Sequence, residues 1–150
     1  MTAEVIRDIR SSWEYMVDNG PQKMLVFYDK LFEKAPQARG LFPKDLTRQS
    51  EKLAYTVGFV VANIDRIDTI KESIEDLGRV HNKLKIKKEY YPVVAETLVE
   101  TIQHQMGDKY KPQIGESWMK ALTALADMMI NAPAKRQNRI RKLIGALSGR

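Results

Sequence analysis

Apolar residues recur every three or four positions along almost the whole chain, and proline or glycine interrupts the rhythm at a few points. That period describes one face of an α-helix, whereas a half-buried strand would alternate apolar and polar residues. No alternating stretch occurs, and there is neither an internal repeat nor a low-complexity segment. The chain is therefore all-α, with about seven helices and short links.

The helical blocks follow in order. Residues 3–19 align Val5, Ile9, Trp13 and Met16, and Asn19-Gly20-Pro21 closes that helix and opens the next. Residues 21–35 align Met24, Phe27, Tyr28, Leu31 and Phe32 before Pro36 stops them. A turn through Leu41-Phe42-Pro43 leads to a helix over about 45–64, with Leu53, Val57, Val60, Val61 and Ile64 on one side. The next helix, over 66–84 with a break near its start, spaces Ile70, Ile74, Leu77, His81 and Leu84 along one face. Pro92 suits the first turn of a helix to about 106 that buries Tyr91, Val94, Leu98 and Ile102. The last body helix follows Pro112, carries Trp118, Leu122, Leu125 and Met129, and ends by Pro133.

At 150 residues the chain suits one domain with a substantial core, and we divide it into a body, 1–132, and a tail, 133–150. The net charge of +6 would suggest a nucleic-acid partner, but its distribution speaks against one. Six of the 25 basic residues and none of the 19 acidic ones lie after residue 133, so the body carries 19 of each. In the tail, Ile140, Leu143, Ile144 and Leu147 share a face opposite Lys135, Arg139 and Lys142. Residues 134–148 are thus expected to form a basic amphipathic helix, either a solvated extension or a contact for an anionic membrane or an acidic partner. Without cysteine there are no disulfides, thiolate metal sites or cysteine nucleophiles. No signal-peptide core opens the chain and no apolar run could span a bilayer, so the expected location is cytoplasmic.

Three polar residues fall on inward-facing stripes. His81 is one of two histidines, the other being His104, which we read as a surface residue. An inward imidazole needs a hydrogen-bond partner or a metal, and periodicity alone leaves both open. Gln49 lies one turn before Leu53 on its helix, and Tyr28 lies within the stripe of the second helix; singly, each has a plainer reading, Gln49 as a solvent-facing residue at a helix start and Tyr28 as a core aromatic with its hydroxyl tied to backbone. Taken together, they supply one nitrogen ligand and two hydrogen-bond donors from three different helices.

Several motifs recur here in a characteristic order: Phe27-Tyr28, Leu41-Phe42-Pro43, Gln49 with Lys52-Leu53-Ala54, Leu77-Gly78-Arg79-Val80-His81, Tyr91-Pro92-Val93-Val94, and Trp118. In order and spacing the sequence resembles the bacterial, flavohaemoglobin-type branch of the globin family from about residue 3 to 131. The resemblance implies a globin fold enclosing haem b, iron protoporphyrin IX, between the Gln49 and His81 helices. His81 would ligate the iron through one ring nitrogen while the other donates to a carbonyl. Phe42 would lie flat on the porphyrin, with Leu53, Leu77 and Val94 as apolar walls. Lys52 would reach a propionate, and Tyr91 would flank the histidine.

Tyr28 and Gln49 would be the distal donors to bound oxygen, each hydrogen bond to so charged a ligand being worth about 1.5–3 kcal/mol. High affinity and slow release suit a nitric oxide dioxygenase that detoxifies the gas. A reversible oxygen store or carrier, and a gas sensor acting through a partner protein, are the alternatives. The 150 residues contain no GxGxxG, so the electron for turnover is expected from a separate reductase. One position departs from the pattern. Where the family places a glutamate joined to the proximal histidine and tyrosine, this chain has Pro133, which weakens any peroxidase-like activation of oxygen.

Overall fold

The computed structural model describes residues 1–18 and 20–133, so the expected tail helix lies outside the described residues. Six α-helices span Ala3–Val17 (α1), Gly20–Lys34 (α2), Thr47–Ala62 (α3), Lys71–Lys83 (α4), Tyr90–Met106 (α5) and Pro112–Ile130 (α6). Three 3₁₀ segments, Pro36–Leu41, Ile64–Ile70 and Gly107–Lys109, serve as links. Among the described residues there is no strand.

Local chemistry accounts for the boundaries. The Val5 amide donates to Thr2 Oγ1 at 3.2 Å at the head of α1, and the Thr47 amide donates to Asp45 Oδ1 at 3.0 Å at the head of α3. Pro112 stands in the first turn of α6, where its missing N–H costs nothing. The break expected near the start of the His81 helix falls at Arg66, whose φ of −142° and ψ of 49° are not helical. The chain thus enters α4 through a 3₁₀ turn.

The core lies where α1, α2, α5 and α6 meet, and the stripes of α1 and α2 are buried as their period requires: Val5, Ile9, Trp13, Met16, Met24, Phe27, Tyr28 and Leu31. A polar clasp ties α1 to α6 inside this core. Trp118 Nε1 donates to Ser12 Oγ at 2.7 Å, and Ser117 Oγ donates to Asp8 Oδ2 at 2.7 Å. The indole rings of Trp13 and Trp118 sit 6.1 Å apart beside it.

The remaining helices are arranged more openly. α3 packs on α1, α2 and the Ile64–Ile70 turn, while α4 packs on that turn and on α6, so the turn is their common neighbour. Stripes that the period alone would bury are therefore only half covered. Leu53, Val57 and Val60 on α3 are half-buried, Leu84 is 63% exposed, and Val94 is 37% exposed. Below Val94 on α5 the stripe closes again, with Leu98 and Ile102 fully buried.

Candidate functional site

α4 owes its placement to a glycine. A Cβ on Gly78 would stand 2.5 Å from the Met129 carbonyl oxygen and 2.6 Å from its Cα, so only Gly lets α4 cross α6 this closely. Ile70, Ile74 and Leu125 form a small core at the crossing. His81 follows one turn later, half-buried.

His81 Nδ1 stands 2.7 Å from the Leu77 carbonyl oxygen. A carbonyl only accepts, so Nδ1 carries the proton, and in the neutral ring Nε2 carries the lone pair. The same contact fixes the orientation of the ring. Helix α4 then ends in a Schellman motif: the Ile86 amide donates to the His81 carbonyl and the Lys85 amide to that of Asn82, each at 3.0 Å. Lys85 takes φ 60° to close it. The loop leads into α5, where the Tyr91 ring lies 5.8 Å from the imidazole. Burial pushes the Tyr91 hydroxyl above its ordinary pKa, so it stays a neutral phenol at physiological pH.

A second cluster gathers around Tyr28, which is 2% exposed. Its ring packs edge-on against Phe27 at 5.0 Å and Phe42 at 5.4 Å. Burial raises the Tyr28 hydroxyl above its ordinary pKa, and a side-chain hydrogen bond with Gln49 opposes part of that rise. Helices α2 and α3 pack along each other and so bring these two polar groups together.

Phe42 is held by Arg39. Its guanidinium donates to the carbonyls of Phe42 (3.2 Å), Pro43 (3.1 Å) and Lys44 (3.2 Å), and it lies over the Phe32 ring at 5.1 Å. Nothing in the sequence singles out Arg39, because its role depends on a loop folding back over it.

The residues expected to make a site thus fall into two groups, Tyr28, Gln49 and Phe42 in one and Leu77, His81 and Tyr91 in the other. Lys52 is exposed on α3 and Leu53 half-buried. Near His81 two apolar side chains stand in solvent, Val80 at 52% exposure and Leu84 at 63%. Periodicity would have placed Leu84 in the core, and Val80 lies off the stripe.

The donor set bears on what could be held here. Among the described residues no three His, Cys, Asp or Glu cluster as a metal cage would require. An iron at His81 would have one protein nitrogen, so its equatorial ligands would have to come with it, as a porphyrin supplies. The partly exposed Leu53, Leu77, Val80, Leu84 and Val94 match the apolar body of such a group. The residues fit a haem. A surface cleft of about 390 Å³ between α1 and α3, lined by Trp13, Val17, Tyr55 and Phe59 among others, has no histidine.

The chain matches the globin family model over residues 25–129. It is 30% identical over 144 residues to a flavohemoprotein of Oceanobacillus iheyensis, an alignment covering 94% of this chain and 36% of that protein. An uncharacterized globin-like protein of Aquifex aeolicus is 27% identical, covering 90% of this chain and 96% of that one. The chain therefore spans about a third of the flavohemoprotein and nearly the whole of the Aquifex protein. In fold it is similar to a bacterial globin from Campylobacter jejuni, with a TM-score of 0.76, 22% identity and 87% and 95% of the two chains covered. It is equally similar (TM-score 0.76, 20% identity, 97% and 99% covered) to an engineered carbene transferase from Rhodothermus marinus provisionally classed as a nitric oxide dioxygenase. The sequence match, the helix order and the single oriented histidine agree, and the chain belongs to the globin family.

Proposed function

We propose that this protein binds haem b through His81 and uses it to hold oxygen for the oxidation of nitric oxide to nitrate, with electrons from a separate reductase. The observation that carries the reading is the 2.7 Å contact from His81 Nδ1 to the Leu77 carbonyl, which leaves Nε2 as a fixed lone-pair donor beside exposed apolar side chains. When bound, the haem supplies a ferrous iron that takes a diatomic gas and can pass one electron.

Every other contribution comes from the chain itself. Phe42, Leu53, Leu77 and Val94 exclude water, and Val80 and Leu84 extend that apolar surface. Lys52 offers a cation to a propionate. Tyr28, kept protonated by burial, is a hydroxyl donor at any physiological pH, and its bond with Gln49 orients both groups. On the proximal side His81 Nδ1 donates to a backbone carbonyl and not to a carboxylate. Pro133 offers no carboxylate to change that, and its own carbonyl accepts from Arg79 Nη1 at 3.1 Å. A carbonyl draws on the ring proton less than a carboxylate would, so this ring lends less electron density to an iron than a carboxylate-paired histidine.

Absorption spectra of the ferric, ferrous and oxygenated protein test haem binding, and stopped-flow oxygen release with nitric oxide consumption tests the reaction. Slow release with nitrate formed in step with nitric oxide consumed is the expected result. Fast release, unchanged in Tyr28→Phe and Gln49→Leu, would make the protein a carrier or a sensor instead.

A further inference from the structure

The last residue of α4 and the loop that follows it carry four lysines that the haem reading leaves unused. Residues 83–88 read Lys-Leu-Lys-Ile-Lys-Lys, and all four lysines are exposed. Among the described residues none of the four makes an ion pair: the pairs are Arg10–Asp65, Lys34–Glu100 and Arg79–Asp76. A single exposed acid, Glu89, follows them. On a body whose charges balance at 19 of each sign, this is a local cationic patch, and it begins two residues after His81.

The backbone adds a second, independent observation. Lys85 occupies the left-handed position of the Schellman motif with φ 60°, where glycine is the unstrained choice. It is the one non-glycine residue with positive φ among the described residues. A lysine there costs stability that glycine would recover, so the charge is kept at the expense of local conformational energy.

We propose that segment 83–88 docks an acidic one-electron carrier protein, whose flavin or iron–sulfur centre then delivers its electron beside His81. The proposal rests on the haem reading, because the carrier needs an acceptor next to the loop. A cationic patch steers an acidic partner by about 10- to 1,000-fold in association rate at low salt. It also suits a transient encounter, in which the partner must leave after each electron. A membrane surface would attract the same lysines, but it would not account for their clustering next to the iron ligand.

The test uses the haem-loaded chain of 150 residues with an acidic flavodoxin as the probe. Complex formation is followed by chemical-shift titration of the haem-free and haem-loaded proteins, and reduction of the ferric haem by stopped flow. The triple variant Lys83→Glu, Lys87→Glu, Lys88→Glu should reduce at least about tenfold more slowly at low salt and lose the salt dependence of the parent. Lys85→Gly should slow reduction about two- to sixfold, one quarter share of the logarithm of full steering, while raising the melting temperature. A merely structural role for Lys85 could not give that opposite pair. Hexaammineruthenium(II), a small cationic reductant, should not be slowed by any of these changes.

Unchanged flavodoxin binding and kinetics in both variants, with normal haem content, would overturn the docking site. So would loss of haem retention, which would give the lysines to the propionates. Vesicles of one part phosphatidylglycerol to three parts phosphatidylcholine provide a further arm. If their binding depended on these lysines while flavodoxin kinetics did not, the partner would be a membrane and the proposal would fall. A chain that took up no haem but still bound flavodoxin through the lysines would sink the haem reading and leave the docking surface standing.

Discussion

Two glycines in helix interiors should respond in opposite directions to the same substitution. A Cβ at Gly78 falls about 0.9 Å short of the 3.4 Å at which ordinary contact with the Met129 carbonyl oxygen begins, and the atoms it meets are backbone. They cannot rotate away, so in Gly78→Ala α4 must lift from α6 by about that distance. Overpacking of this kind costs about 1–3 kcal/mol, against which alanine returns about 1 kcal/mol of helix propensity. The net loss is up to about 2 kcal/mol, or several degrees in Tm for a chain of this size. At Gly58 the nearest atoms are on the Trp13 side chain at 3.6 and 3.8 Å, so Gly58→Ala meets only normal contacts. It should gain about 0.5–1 kcal/mol. Thermal unfolding of the two haem-free variants makes the comparison. Because Gly78 lies one turn before His81, its variant should also lose haem faster to an apoglobin acceptor, while the Gly58 variant should not. A rise in Tm for Gly78→Ala equal to that for Gly58→Ala would refute the close crossing.

Other perturbations test the site directly. His81→Ala should abolish haem loading and the five-coordinate ferrous spectrum, with recovery on adding imidazole; normal haem content without it would reject the ligand assignment. Tyr28→Phe should speed oxygen release about tenfold to a hundredfold and Gln49→Leu less, with carbon monoxide release changing little. Since the two groups bond each other, the double variant should depart from additivity in stopped-flow rates. Burial raises the Tyr28 pKa, so the unfolded chain ionises first as pH climbs past about 10 and stability falls until the folded-state pKa is reached. Urea unfolding between about pH 9 and 11 should show a slope that Tyr28→Phe reduces. Finally, Ser12→Ala should cost about 1–3 kcal/mol in urea unfolding by leaving the buried Trp118 N–H without its acceptor.

The sequence by itself determined the helical class, the order of the helices and most of their boundaries, because these depend on local period and on where proline and glycine stand. It also placed Tyr28, Gln49 and His81 on inward stripes, since a residue's face follows from its spacing to apolar neighbours on the same helix. Tertiary structure decided how deeply each stripe is buried. His81 and Leu84 share a stripe with Ile70 and Ile74, yet the first pair is half-buried and exposed while the second is buried. Only the path of α4 across α6 makes that difference. The proton on His81 Nδ1 likewise required the position of the Leu77 carbonyl, although helix spacing brings that group within reach. Arg39 and Gly78 were unreadable for a further reason: one acts through three carbonyls of a loop folded over it, the other through a backbone 51 positions away at Met129. Such contacts carry no periodicity, because they arise when two segments meet and not along either one.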